Sequence, residues 1–182
     1  NGTVTSTGRF SSDDLDFAAA FGPVKGAAGT VEFTDLLNLT TAPDQTIRVA
    51  SVNPGIEVAD GEVGFELRNG EVLAVAGGSW PFMGGELILR AVDLNLGVSE
   101  ERRYIFEIVG LDAGTFVTEM DLENISATGM FDGAVPIVFD ANGNGRIDTG
   151  VLISRPPGGT VSYVGELTYE DLSPIANFAF DA

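Results

Sequence analysis

The chain has 182 residues, 44% of them hydrophobic, and carries 27 acidic against 9 basic side chains for a net charge of −18. That balance argues against nucleic acid and against electrostatic adhesion to anionic lipid heads, both of which need Lys and Arg. With no Cys and no His, disulfides, thiolate chemistry, His-based triads and most zinc sites are excluded.

Along the chain, period-two patterning broken by Gly, Asn and Pro predicts a succession of antiparallel strands. Leu15, Phe17, Ala19 and Phe21 share one face of a first strand, which Gly22-Pro23 should end. Lys25 beside Gly26 reads as a turn, and Val31 with Phe33 as a short strand. Leu36, Leu37 and Leu39 follow in a loop or helical turn, and residues 40–45 are a connection. Ile47, Val49 and Ser51 share a strand face; Asp60-Gly61 then reads as a two-residue turn. Val63, Phe65 and Leu67 alternate with Glu62, Glu66 and Arg68, ahead of a second turn at Asn69-Gly70. Such strands have one apolar and one charged face, and the apolar face needs a cover.

Two Gly pairs flank Trp80, Phe82 and Met83, where they permit a bulge or bend. These aromatics either line a groove or cap a sheet corner as core. Residues 86–96 form a further strand in which Leu87, Leu89 and Ala91 oppose Ile88 and Val92, so both faces should be buried. In the strand over 102–109, Tyr104, Phe106 and Ile108 share a face, with Arg103, Ile105 and Glu107 on the other. The period then changes: Asp112 caps a short helix reaching Met120, with Phe116 and Val117 on its packed face. Residues 134–139, 147–153 and 160–168 are the last three strands. A second helix should start at Ser173-Pro174 and be cut by the end of the chain. We expect one β-rich domain over residues 1–182, itself a fragment of a larger protein.

Three local motifs invite chemistry. Asp140, Asn142, Asn144 and Gly145 resemble the opening of a calcium loop, but Val151 stands where a bidentate Glu is required, and the flanks read as strands. A polar hairpin turn is the reading adopted. Arg155-Pro156-Pro157-Gly158-Gly159 could hold an anion, but reads better as a rigid connection between strands. Adjacent carboxylates abound, as expected by chance among so many acids, and no nucleophile elbow or phosphate loop is present. No catalytic residue, metal ligand or cofactor site is assigned, and the chain is not read as an enzyme.

The runs GMFDGAVPIVFD and SRPPGGTVSYVGEL resemble the C-terminal domain of YdbH-type proteins, with TVEFTDLLNLTTAPDQTIRVASVNPGIEVADGEVGFEL and SWPFMGGELIL upstream. These are large bacterial envelope proteins of the AsmA-like group, related in architecture to TamB and YhdP. The resemblance implies an open, U-shaped antiparallel sheet with an apolar trough, carrying phospholipid between the inner and outer membranes. It also implies a periplasmic location, a parent anchored in the inner membrane, and a small outer-membrane lipoprotein docking near the C-terminal end. The group has been labelled with dicarboxylate transport as well.

The expected fold is therefore mainly β, a curved antiparallel sheet with one or two short helices. A closed barrel or sandwich also fits the pattern. The expected lining of the trough is Val63, Phe65, Leu67, Trp80, Phe82, Leu87, Leu89, Tyr104, Phe106 and Ile108, with phospholipid acyl chains as ligand. The alternative is a non-catalytic structural module that docks a partner by strand addition. Dicarboxylate transport is a distant third, because nine basic residues offer little for a basic pocket.

Overall fold

The computed structural model describes residues 4, 6–19, 22–53, 57–141 and 144–163. The strands are β1 (Gly8–Ala19), β2 (Gly22–Asp35), β3 (Thr40–Thr41), β4 (Gln45–Val52), β5 (Val58–Arg68), β6 (Val72–Phe82) and β7 (Gly85–Leu89). After them come β8 (Val92–Asn95), β9 (Arg102–Asp112), helix α1 (Ala113–Glu119), β10 (Ile125–Ala127) and β11 (Met130–Phe139). Three short strands complete the set: β12 (Gly145–Ile147), β13 (Val151–Ser154) and β14 (Val161–Tyr163).

Hydrogen bonding runs in the order β1-β2-β4-β5-β6-β7-β9-β11-β12, every pair antiparallel. The sheet is thus a meander in which chain neighbours are spatial neighbours. Its path ends at β1 and β12 without joining them, so the sheet is mainly β as expected and is not closed into a barrel. A small separate ladder pairs β10 with β14.

Most long strands are interrupted part-way, and the interruptions keep apolar side chains on one side. In the β5–β6 pair the register slips between Gly64 and Phe65, leaving Ala76 unmatched beside Gly77 at φ 145°. An extra residue inverts the alternation. Leu73 and Val75 before it therefore face the same side as Trp80 after it. Between β7 and β8 the break at Arg90–Ala91 does the same, so Leu89 and Leu94 share the concave side. This corrects the two-faced burial expected for residues 86–96. Ile88 and Ala91 face the outer depression instead.

Other expectations needed revision. The first strand ends at Ala19, before Gly22-Pro23 as expected, but the pair itself opens β2, where a Pro without an N–H is tolerated. Lys25 and Gly26 lie inside β2, not in a turn. Gly26 has φ 60°, and its N–H donates to Asp16 Oδ1 at 2.9 Å, so the local signal is that of a bulge. Asp60-Gly61 is not a turn either. Asp60 does adopt the left-handed conformation, at φ 56°, yet β5 runs straight through it. Asn69-Gly70, by contrast, turns as expected, at φ 53° and 64°.

Helix α1 forms where the period changes. The Asp112 carboxylate accepts from the Thr115 N–H at 2.7 Å and its hydroxyl at 2.8 Å, satisfying free donors of the first turn. Phe116 packs this helix onto the sheet's core. The second helix expected from Ser173 lies outside the described residues, as do residues 164–168 of the last expected strand.

The loop after β11 behaves as a hairpin. Asp140 accepts from the Asn144 backbone N–H at 2.9 Å and from its Nδ2 at 3.0 Å, and its own N–H donates to the Asn144 carbonyl. A carboxylate holding its own turn is poorly placed to hold a cation. Calorimetric titration with calcium should show nothing tighter than about millimolar; a micromolar isotherm lost in Asp140→Ala would contradict this.

Candidate functional site

The concave side of the sheet holds a cavity of about 330 Å³ with an entirely apolar lining. Its walls come from β1 through β11: Phe17, Val24, Val49 and Val58 on one flank, Tyr104, Phe106 and Phe139 on the other. Size and lining suit a small-molecule site, since such pockets start near ~300 Å³ and are mostly apolar.

Of the ten residues proposed from sequence, Val63, Phe65, Trp80, Leu89, Tyr104 and Phe106 line this cavity. Leu87 and Ile108 face the same way but are buried beneath it, in one cluster with Trp80. Phe82 packs against that cluster from its margin. Leu67, half-buried, pairs with Leu73 at the end of β5 and stands outside the lining. Sequence reasoning missed the rest of the lining, including Val24, Val49 and Val58 as well as Phe17, Val75, Leu94 and Phe139. Alternation alone could have found Phe17 and Phe139, whereas Val75 and Leu94 required the interruptions of β6 and β7–β8 to be placed.

Burial around the cavity is uneven: Tyr104, Trp80 and Phe139 are 3%, 4% and 5% exposed, whereas Phe65 and Phe106 are only half-buried and Phe17 is exposed. Tyr104 supplies the lining's titratable group. Burial pushes its phenol up, against a smaller opposing effect of the neighbouring Arg102, so it stays neutral at physiological pH. Its ring meets Phe139 edge-on, at 5.5 Å and 84°. The Trp80 indole N–H is buried without a hydrogen-bond partner among the described residues.

Charge lies outside the cavity. Arg9 pairs with Glu32, Arg68 with Glu66, Arg90 with Glu107 and Arg103 with Asp148, all at solvent-exposed positions. Such pairs stabilise little individually, but they occupy the scarce cations. Arg155, the one candidate anion ligand, forks onto Asp132 at 2.7 and 2.6 Å. That geometry makes it a clamp between β11 and the loop after β13.

The Arg155 fork first, and the Gly110 N–H second, hold the Asp132 carboxyl below the usual carboxylate range. A depressed folded pKa stabilises above the unfolded value of ~3.9 and is lost as pH falls through the lower folded value. Asp132→Asn should therefore lower the unfolding midpoint at pH 7, and the gap to the parent should close in strong acid. A gap that stayed constant from pH 7 to the acid limit would show that the carboxylate's charge is not what matters.

No helix among the described residues is long and apolar enough to cross a membrane. The described residues thus form an open, mainly β antiparallel sheet with its ion pairs outside and an apolar hollow on its concave side. Over residues 1–182, its whole length, the sequence matches the model of the YdbH-like family, described as intermembrane phospholipid transport protein YdbH, and the chain belongs to that family. That is a family of lipid transport rather than catalysis, and its intermembrane role implies the periplasm. No curated protein and no solved structure matches the chain.

Proposed function

We propose that this chain is one segment of a periplasm-spanning bridge, anchored in the inner membrane elsewhere in its parent, and that phospholipid acyl chains travel through its trough. The observation that carries this reading is the apolar cavity lined by strands from β1 to β11, with Phe65 and Phe106 half-buried around it. Transport between membranes needs such a surface, apolar enough for acyl chains yet open enough to let them leave. In the full protein, a photoreactive amino acid at Phe65, Leu89 or Phe106 should crosslink phospholipid, whereas one at Ile88, on the outer face, should not. Equal yields at Ile88 and Phe106, or none at the three inner positions of a folded protein, would rule the trough out.

A second reading concerns the edge of the sheet. Ile147, Val151 and Ile153 on β12 and β13 are 67%, 52% and 66% exposed, at the end of the hydrogen-bonded path. An uncovered apolar edge suits addition of a strand from a partner such as a small outer-membrane lipoprotein. A crosslinker at Ile153 that captures only phospholipid would count against it. Dicarboxylate transport finds no support in the cavity, whose lining among the described residues includes no Arg or Lys.

A further inference from the structure

Trp80 lies over two glycines. A Cβ at Gly61 of β5 would sit 1.9 Å from the indole Nε1, 2.1 Å from Cδ1 and 2.5 Å from Cε2. A Cβ at Gly78 of β6 would sit 2.7 Å from Cη2 and 3.0 Å from Cζ3, at the opposite edge of the ring. The pyrrole edge thus rests on one strand and the benzene edge on the next. Neither glycine has a positive φ, so backbone freedom does not explain either of them. Asp60 takes the left-handed conformation that the Asp60-Gly61 pair advertises, and Gly61 is left with a steric task alone.

We propose that Gly61, assisted by Gly78, is a positioning residue that seats the Trp80 indole against the sheet and so sets the bore of the trough. This rests on the transport reading above. Carbon atoms pack at about 3.5–4.0 Å, so a methyl group at Gly61 forces the ring to move by roughly 1.5–2 Å. Beneath the ring is glycine backbone, and beside it stand the buried Val58 and Leu87 of the same cluster. The free volume open to it is the cavity of about 330 Å³ that Trp80 already lines. Gly61→Ala therefore narrows the passage by the width of its own methyl group. Trp80→Leu in the same chain removes the plane that was displaced and reopens it.

The test uses the full protein with a photoreactive amino acid at Phe106 and vesicles of phosphatidylethanolamine and phosphatidylglycerol. Phospholipid crosslinking is measured in the parent, Gly61→Ala, Trp80→Leu and Gly61→Ala/Trp80→Leu. The expected result is a crosslink that falls at least tenfold in Gly61→Ala and returns in the double variant, with the lone Trp of Gly61→Ala changing its emission. Should Gly61→Ala fail to fold, the double variant should recover both fold and crosslink. A parental crosslink level in folded Gly61→Ala, or a double variant that stays empty or unfolded, overturns the bore while leaving transport intact. An absent crosslink in the parent overturns the transport reading, and the bore with it.

Discussion

Ile108→Asp should unfold the domain, while Phe65→Asp should leave it folded and unable to hold lipid. The two residues lie on the same concave side but at different depths. Ile108 is 7% exposed within the cluster that contains Trp80 and Leu87. A carboxylate there has no partner and no route to water, and burying an uncompensated charge costs more than a domain can spare when its whole stability is ~5–15 kcal/mol. Phe65 is only half-buried and faces the cavity. Its replacement forfeits about 1.5–3 kcal/mol of apolar burial, while the new carboxylate can stay hydrated. Urea unfolding of both variants beside the parent, with phospholipid crosslinking at Phe106, reads the difference. If Phe65→Asp unfolds as completely as Ile108→Asp, the hollow is an ordinary sealed core.

Trp80→Ala should destabilise the domain by about 3 kcal/mol. Trp80 is 4% exposed and belongs to a cluster drawn from β2, β4, β5, β6, β7 and β9. Removing a buried Trp typically costs ~3–5 kcal/mol. Here the loss is partly offset, because the variant also discards a buried, unpartnered N–H, whose burden is about 1–3 kcal/mol. The low end of the range, about 3 kcal/mol, is therefore expected. The chain has one Trp, so its emission reports this residue alone. Native emission should be that of a shielded indole and shift to the red on unfolding. Emission of fully hydrated indole in the folded protein would show that the ring does not lie where it is described.

Alternation made much of this legible in advance. Val63 with Phe65, and Tyr104 with Phe106, sit on uninterrupted stretches, and period two alone assigned their faces correctly. The short helix was equally readable, because Asp112 supplies a cap where the period changes. What misled was glycine, whose several uses look alike in a sequence. Gly70 turns the chain, Gly26 kinks a strand, and Gly61 makes room for a ring. Only long-range pairing tells these apart, and no local window contains it. The same limit hid Leu94: the break at Arg90–Ala91 is visible only once β7 and β8 are both laid against β6. The lining residues found in advance were those grouped by alternation within a single stretch, such as Tyr104 with Phe106.

The partly exposed lining of the hollow, with Phe65 and Phe106 half-buried and Phe17 42% exposed, has a calorimetric signature. Unfolding heat capacity follows newly hydrated apolar area, at about 12–15 cal/mol/K per residue for an ordinary domain. Here part of that area is already wetted before unfolding begins, so the empty protein should fall below the ordinary figure and show a flatter, lower stability curve. An acyl chain in the hollow would dry the same surface. On the proposed function, loading would then steepen the curve and raise its maximum, and release of the acyl chain would return the sheet to its softer state.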